Sequence, residues 1–97
     1  MPTTKEIMLM RPADELGPIL VSRSRAADLR QKLEAELEVD GAATIDFTGA
    51  VTMSPSFADE LIAKLPQDAR EHVELVNLSE DLRALVDYVT AGRPVTH

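Results

Sequence analysis

The stretch Thr44-Ile45-Asp46-Phe47-Thr48-Gly49-Ala50-Val51-Thr52-Met53-Ser54-Pro55-Ser56-Phe57-Ala58-Asp59-Glu60-Leu61 decides the fold. Its first part alternates. In an extended chain Ala43, Ile45 and Phe47 share one face, and Thr44, Asp46 and Thr48 share the other. Gly49 breaks this strand, and a loop over residues 50–53 leads to Ser54. Pro55 suits the first position of a helix, so Ser54 is the natural N-cap. Ser56, with Asp59 three residues on, is a second capping candidate. The helix runs to about Leu65 with Phe57, Leu61, Ile62 and Leu65 as its apolar stripe, and Pro66 stops it.

The pattern repeats on either side. Upstream, Ser22 or Ser24 caps a long helix reaching about Val39, with Ala26, Leu29, Leu33 and Leu37 on one face. Its first half is basic (Arg23, Arg25, Arg30, Lys32) and its second half acidic (Glu34, Glu36, Glu38), an order that opposes the helix dipole. Arg30 and Glu34 have the spacing of an ion pair. The basic half reads either as a solvated face or as a surface turned toward a partner or an anion. Asp40-Gly41 ends the helix. Downstream, residues 72–76 form another strand and Asn77 turns it. Ser79 then caps a last helix lined by Leu82, Leu85, Val86 and Val89, with Glu80 and Asp81 where the dipole favours acids.

Residues 5–10 read as a first strand and residues 13–17 as a turn. Residues 18–21 read as a brief edge strand or the lead-in to a helix, and Pro18, lacking an N–H, favours an edge. Strands separated by helices imply right-handed crossovers and a mainly parallel sheet. The residues themselves thus give a small α/β fold with a four-stranded sheet. Residues 1–97 are expected to be a single domain, with residues 1–4 and 91–97 as loose termini.

Composition agrees and excludes much. Ninety-seven residues of 10.6 kDa, 44% hydrophobic and 28% charged, suit one modest core rather than a disordered chain. Seventeen acids against ten bases leave a net charge of -7, which repels nucleic acid. No cysteine is present, so disulfides, thiolate metal sites and a cysteine nucleophile are excluded. The short apolar run Ile7-Met8-Leu9-Met10 is no membrane span, and a cytoplasmic protein without a membrane is expected. The four glycines are scattered and form no phosphate-binding loop. Only His72 and His97 offer imidazoles, and no acid stands at helical spacing to complete a zinc site with them. Asp59 and Glu60 are adjacent on a helix and diverge, so they make no catalytic pair. No cofactor, metal or catalytic residue is expected, and enzyme action through Asp46 or Asp59 ranks last among the readings.

The strand ending in Ile45-Asp46-Phe47, with Ser54-Pro55-Ser56-Phe57-Ala58-Asp59-Glu60-Leu61 at a helix start, resembles the STAS-like domains of unknown function, relatives of bacterial anti-sigma-factor antagonists. Leu20-Val21-Ser22-Arg23 and the helix of Ala26, Leu29 and Leu33 are similar to that family too. The resemblance covers roughly residues 6–89. It implies a four- to five-stranded mixed sheet with helices packed on one face. It also implies a non-enzymatic regulatory protein-binding module whose partner is a histidine-kinase-like ATPase of the anti-sigma type. Partner-binding residues would be Ser54, Ser56, Phe57, Asp59 and Glu60. In the antagonists a serine at the helix start is phosphorylated; laid on this chain, that position is Pro55. Ser56, and after it Ser54, are the remaining candidate phosphoacceptors, since a phosphate at a helix start meets exposed amides. The alternative is a ligand-binding or sensory domain in which Arg23 and the serine-capped helix hold a small anion.

Overall fold

The seven expected strands and helices form, and their order puts the polar strand ends on one edge. The computed structural model describes residues 8–91; the expected strand start at residues 5–7 and the termini expected to be loose, residues 1–4 and 92–97 with His97, lie outside them, while Ala91, expected in the loose end, closes the last helix. Three parallel strands make the main sheet in the order β1 (Met8–Met10), β3 (Ala43–Asp46), β5 (Val73–Val76). Register sets Met8 and Met10 beside Ala43 and Ile45, and these beside Val73 and Leu75. That face turns inward. On the other face Leu9 and Glu74 are exposed and Thr44 is half-buried.

A second, two-stranded parallel sheet pairs β2 (Ile19–Leu20) with β4 (Thr52–Met53). The expected four- to five-stranded mixed sheet is therefore corrected: the five strands divide three and two, and every pair is parallel. The turns explain the division. Gly49, at φ +87°, takes the chain out of line with β3, and the Ala50 N–H closes back on the Phe47 carbonyl. Gly17, at φ +82°, does the same before β2. The displaced segments then pair with each other. The Val51 and Thr52 N–H groups donate to the Pro18 carbonyl, a ladder that asks no N–H of Pro18.

The helices follow their caps. Helix α1 (Pro12–Leu16) replaces the expected turn, started by Pro12 in its first turn. Helix α2 (Arg23–Asp40) is capped by Ser22, whose Oγ accepts from the Arg25 N–H at 3.3 Å, and ends at Gly41 in the left-handed region, φ +79°. In its acidic second half, a hydrogen bond to Asp40 holds the Glu36 carboxyl above its ordinary range. Helix α3 (Pro55–Ala58) runs without a break into a π-helical turn, Asp59–Ala63. A short α4 (Gln67–Arg70) and α5 (Glu80–Ala91) complete the described residues.

Ala26, Leu29 and Leu33 of α2, Phe57 of α3, Leu61 and Ile62 of the π turn, and Leu82, Val86 and Val89 of α5 join Ile45 and Phe47 in one core. Each position was readable as an apolar stripe. The π turn packs against both α2 and α5, which is why four successive residues, from Glu60 to Ala63, are all buried.

Candidate functional site

Two side chains in this core are charged: Asp46 and Glu60, each 5% exposed. An unpaired buried carboxylate would be costly, so their partners show how each place is built.

Asp46 closes β3, and the two neighbouring strands end beside it. Arg11 directly follows β1 and donates from Nε and Nη2 to Asp46 Oδ2 at 3.1 and 3.0 Å. Asn77 directly follows β5, held at φ +61°, and its Nδ2 donates to Oδ1 at 2.9 Å. Thr48, two residues on, gives Oδ1 both its N–H at 2.9 Å and its hydroxyl at 2.6 Å. Asparagine tolerates the left-handed region better than other residues with a side chain, so the turn and the contact select the same residue. The Thr48 hydroxyl first, then Asn77, the Thr48 amide and Arg11, hold the Asp46 carboxyl far below the usual range. A carboxylate that gives both oxygens to so many donors is a fastener for three strand ends, not a poised base.

Glu60 lies in the π turn and faces α2. Arg30 Nη2 donates to Oε2 at 2.9 Å; Arg23 Nη1 and Lys64 Nζ reach Oε1 at 3.0 and 2.8 Å. The π geometry adds a further contact. Lys64 N–H donates five residues back to the Asp59 carbonyl, and Leu65 N–H donates to Ile62. The Glu60 carbonyl is thereby skipped, and Arg30 Nε takes it at 2.8 Å. One guanidinium thus holds both the side chain and the main chain of Glu60. Lys64, then Arg30, then Arg23 lower the Glu60 carboxyl to about 2 against its burial.

The serine cap forms as expected. Ser54 Oγ accepts from the Phe57 N–H at 3.1 Å, and the two hydroxyls of Ser54 and Ser56 stand 3.1 Å apart in a shared hydrogen bond. Ser54, Ser56 and Asp59 are half-buried and reachable. Phe57 is fully inside and Glu60 nearly so, so these two of the five expected contact residues serve the interior and offer a partner no surface. Arg23, the candidate anion contact, lies against Glu60 and within 4.0 Å of Asp59. The basic start of α2 does face an anion, but one carried by the chain itself. Arg30 also reaches Glu34 at 3.5 Å, the pair its spacing suggested.

Beside the serines lies a surface that the sequence did not single out. Ile19 is 52% exposed, Val21 50% and Val51 70%. All three belong to the β2–β4 ribbon or its flanks. The ladder continues one step past the strands, the Ser54 N–H donating to the Leu20 carbonyl at 2.9 Å, which sets Ser54 alongside Val21. Only the alternation in Ile19-Leu20-Val21 could have signalled it: Leu20 points in, so its neighbours point out.

The chain belongs to the family described as the STAS-like domain of unknown function, which it matches over residues 25–83. No curated protein and no solved structure matches it. Among the described residues no group of acids and histidines could hold a metal ion, and no helix is long and apolar enough to cross a membrane.

Proposed function

We propose that this chain is a non-enzymatic regulatory module that binds a protein partner through the outer face of the β2–β4 ribbon and the adjoining start of α3. The observation that carries this reading is the exposure of Ile19 and Val21 on the outer face of the ribbon, with Val51 exposed at the ribbon's start, beside a hydrogen-bonded pair of reachable serines. Clustered aliphatic side chains on a small domain mark contact surfaces, and polar groups at the rim give them register. The partner this reading takes is a histidine-kinase-like ATPase, from the resemblance to anti-sigma-factor antagonists. Both buried carboxylates are consumed in internal contacts, which argues against the enzyme reading. The ion pairs of Arg23 argue against the anion-sensor reading.

The experiment is a titration of isotope-labelled protein with purified histidine-kinase-like ATPases from the same organism, following backbone amides by NMR. Shifts should gather at Ile19, Val21, Val51, Ser54 and Ser56. Exchanging Ile19 and Val21 together for aspartate should weaken binding at least tenfold with the melting temperature little changed. Shifts confined to α2 or α5, or no binding to any such ATPase, would refute the proposal.

A further inference from the structure

The main sheet ends at β5, and a groove of about 570 Å³ runs along that open edge, under the overhang of α4 and α5. Its floor is Ile62, Leu65, Val73, Leu75 and Val86. The backbone shows which groups face it. Ala43 N–H donates to the His72 carbonyl and Phe47 N–H to the Val76 carbonyl, so the even-numbered residues of β5 bond to β3. In a parallel ladder the alternate residues, Val73 and Leu75, must turn their N–H and C=O groups outward. No backbone partner meets them among the described residues.

We infer that the β5 edge receives an extended peptide segment of another protein as a fourth strand, apolar at alternate positions and basic between them. Strand addition matches what the place offers: main-chain groups to pair with, and beneath them an apolar trough for every second side chain. The charge selects the partner. Glu71 and Asp87 stand on the rim, Glu74 lies on the open face of the same strand, and Arg70 is the one cation among them. Among the described residues none of these four takes part in an ion pair. The whole chain carries -7. A second copy paired through the same edge would set this acidic strand against itself, which like charges oppose. This surface is separate from the β2–β4 face and stands or falls without it.

The test uses the full chain and a synthetic eight-residue peptide of alternating valine and lysine. Three further peptides accompany it: one N-methylated on alternate amides in each of the two phases, and one with glutamate for lysine. Amide shifts on binding should centre on Val73 and Leu75. Methylation in one phase should weaken binding about tenfold, the loss of one or two net hydrogen bonds. The glutamate peptide should bind more weakly still. Val73→Pro should have the same effect as methylation, since that N–H faces away from β3 and proline is tolerated on an edge; the methylated peptides test the wild type should this variant not fold. Equal binding of both methylated peptides, a dimer by sedimentation that excludes the peptide, or uptake of a small apolar dye with no peptide binding would each overturn the inference.

Discussion

Asp46 and Glu60 are equally buried, yet they are held by opposite means. Asp46 ends a strand and takes three of its five hydrogen bonds from neutral groups, two of them from a residue two positions away. Glu60 sits in a helical turn and takes its side-chain bonds from three cations, two of them carried by α2 thirty and thirty-seven residues back. The short carboxylate draws two bonds from the turn that follows it and three from the ends of the strands beside it. The longer one needs another helix to be in place. Strand ends that already converge can be fastened by short polar side chains, whereas two packed helices are fastened by long charged ones that reach across.

The difference also decides what was legible. The alternation through Phe47, the stripe of α2 and the caps Ser22, Ser54 and Ser79 were readable because each depends on residues a few positions apart. Asp46 and Thr48 were readable as neighbours on one face. Arg11 and Asn77, which complete the cluster, come from the ends of other strands, and no local pattern announces them. The π turn was not legible, because residues 59–63 keep ordinary helical spacing of Leu61, Ile62 and Leu65. Nor was the burial of Glu60, which as an acid next to Asp59 reads as surface. The division into two sheets was missed for the same reason: two-residue strands such as Ile19–Leu20 and Thr52–Met53 carry almost no periodicity. The existence and order of the main elements are local properties; partners across the fold are not.

Each carboxylate is followed by a buried apolar residue, Phe47 or Leu61, at 1% and 0% exposure. Removing either breaks the comparison most severely. Phe47→Ala should cost about 3–5 kcal/mol and Leu61→Ala about 2–5 kcal/mol in denaturant unfolding. A change under about 1 kcal/mol at Phe47, well below the cavity range, would mean that β3 is not central.

The charged contacts come next. Arg30→Ala loses both a carboxylate and a carbonyl contact from a side chain only 20% exposed, and should cost about 1.5–3 kcal/mol. Arg23→Ala removes a contact from a side chain 55% exposed and should cost under about 1 kcal/mol. Equal costs would show that the main-chain contact of Arg30 contributes nothing. It also follows that charge reversal at Glu60 would unfold the protein rather than report on partner binding; Asp59 is the residue of that pair to vary.

Acid should separate the two carboxylates. Both are lowered in the folded state, so each adds stability that is full above its ordinary value and fades as pH falls through the lowered one. For Glu60 the loss runs from about 4.5 down to about 2. For Asp46 it begins only below 3.8. Glu60→Gln should therefore flatten the pH dependence of unfolding between about pH 4.5 and 2, and the upper end of that window is where Asp46 contributes least. An unchanged slope there would assign the acid sensitivity elsewhere.

The smallest contrast lies between the serines. Ser54→Ala removes the cap and should cost about 1 kcal/mol. Ser56→Ala leaves the Phe57 N–H bonded to Ser54 and should change stability by less than about 0.5 kcal/mol. Reversed magnitudes would make Ser56 the cap. If either serine is phosphorylated by the partner ATPase, intact mass should rise by about 80 Da, and we expect Ser56→Ala, rather than Ser54→Ala, to abolish the gain.

The claim beneath these contrasts is that Glu60 works inward, tying the π turn to α2. A double-mutant cycle reads that tie directly: unfolding free energies of the wild type, Arg30→Ala, Glu60→Gln and the double variant, at neutral pH and low salt. Groups in one ion-pair network should couple by about 1 kcal/mol or more. Single costs that simply add, within about 0.5 kcal/mol, would contradict the account and return Glu60 to the surface as a residue open to a partner.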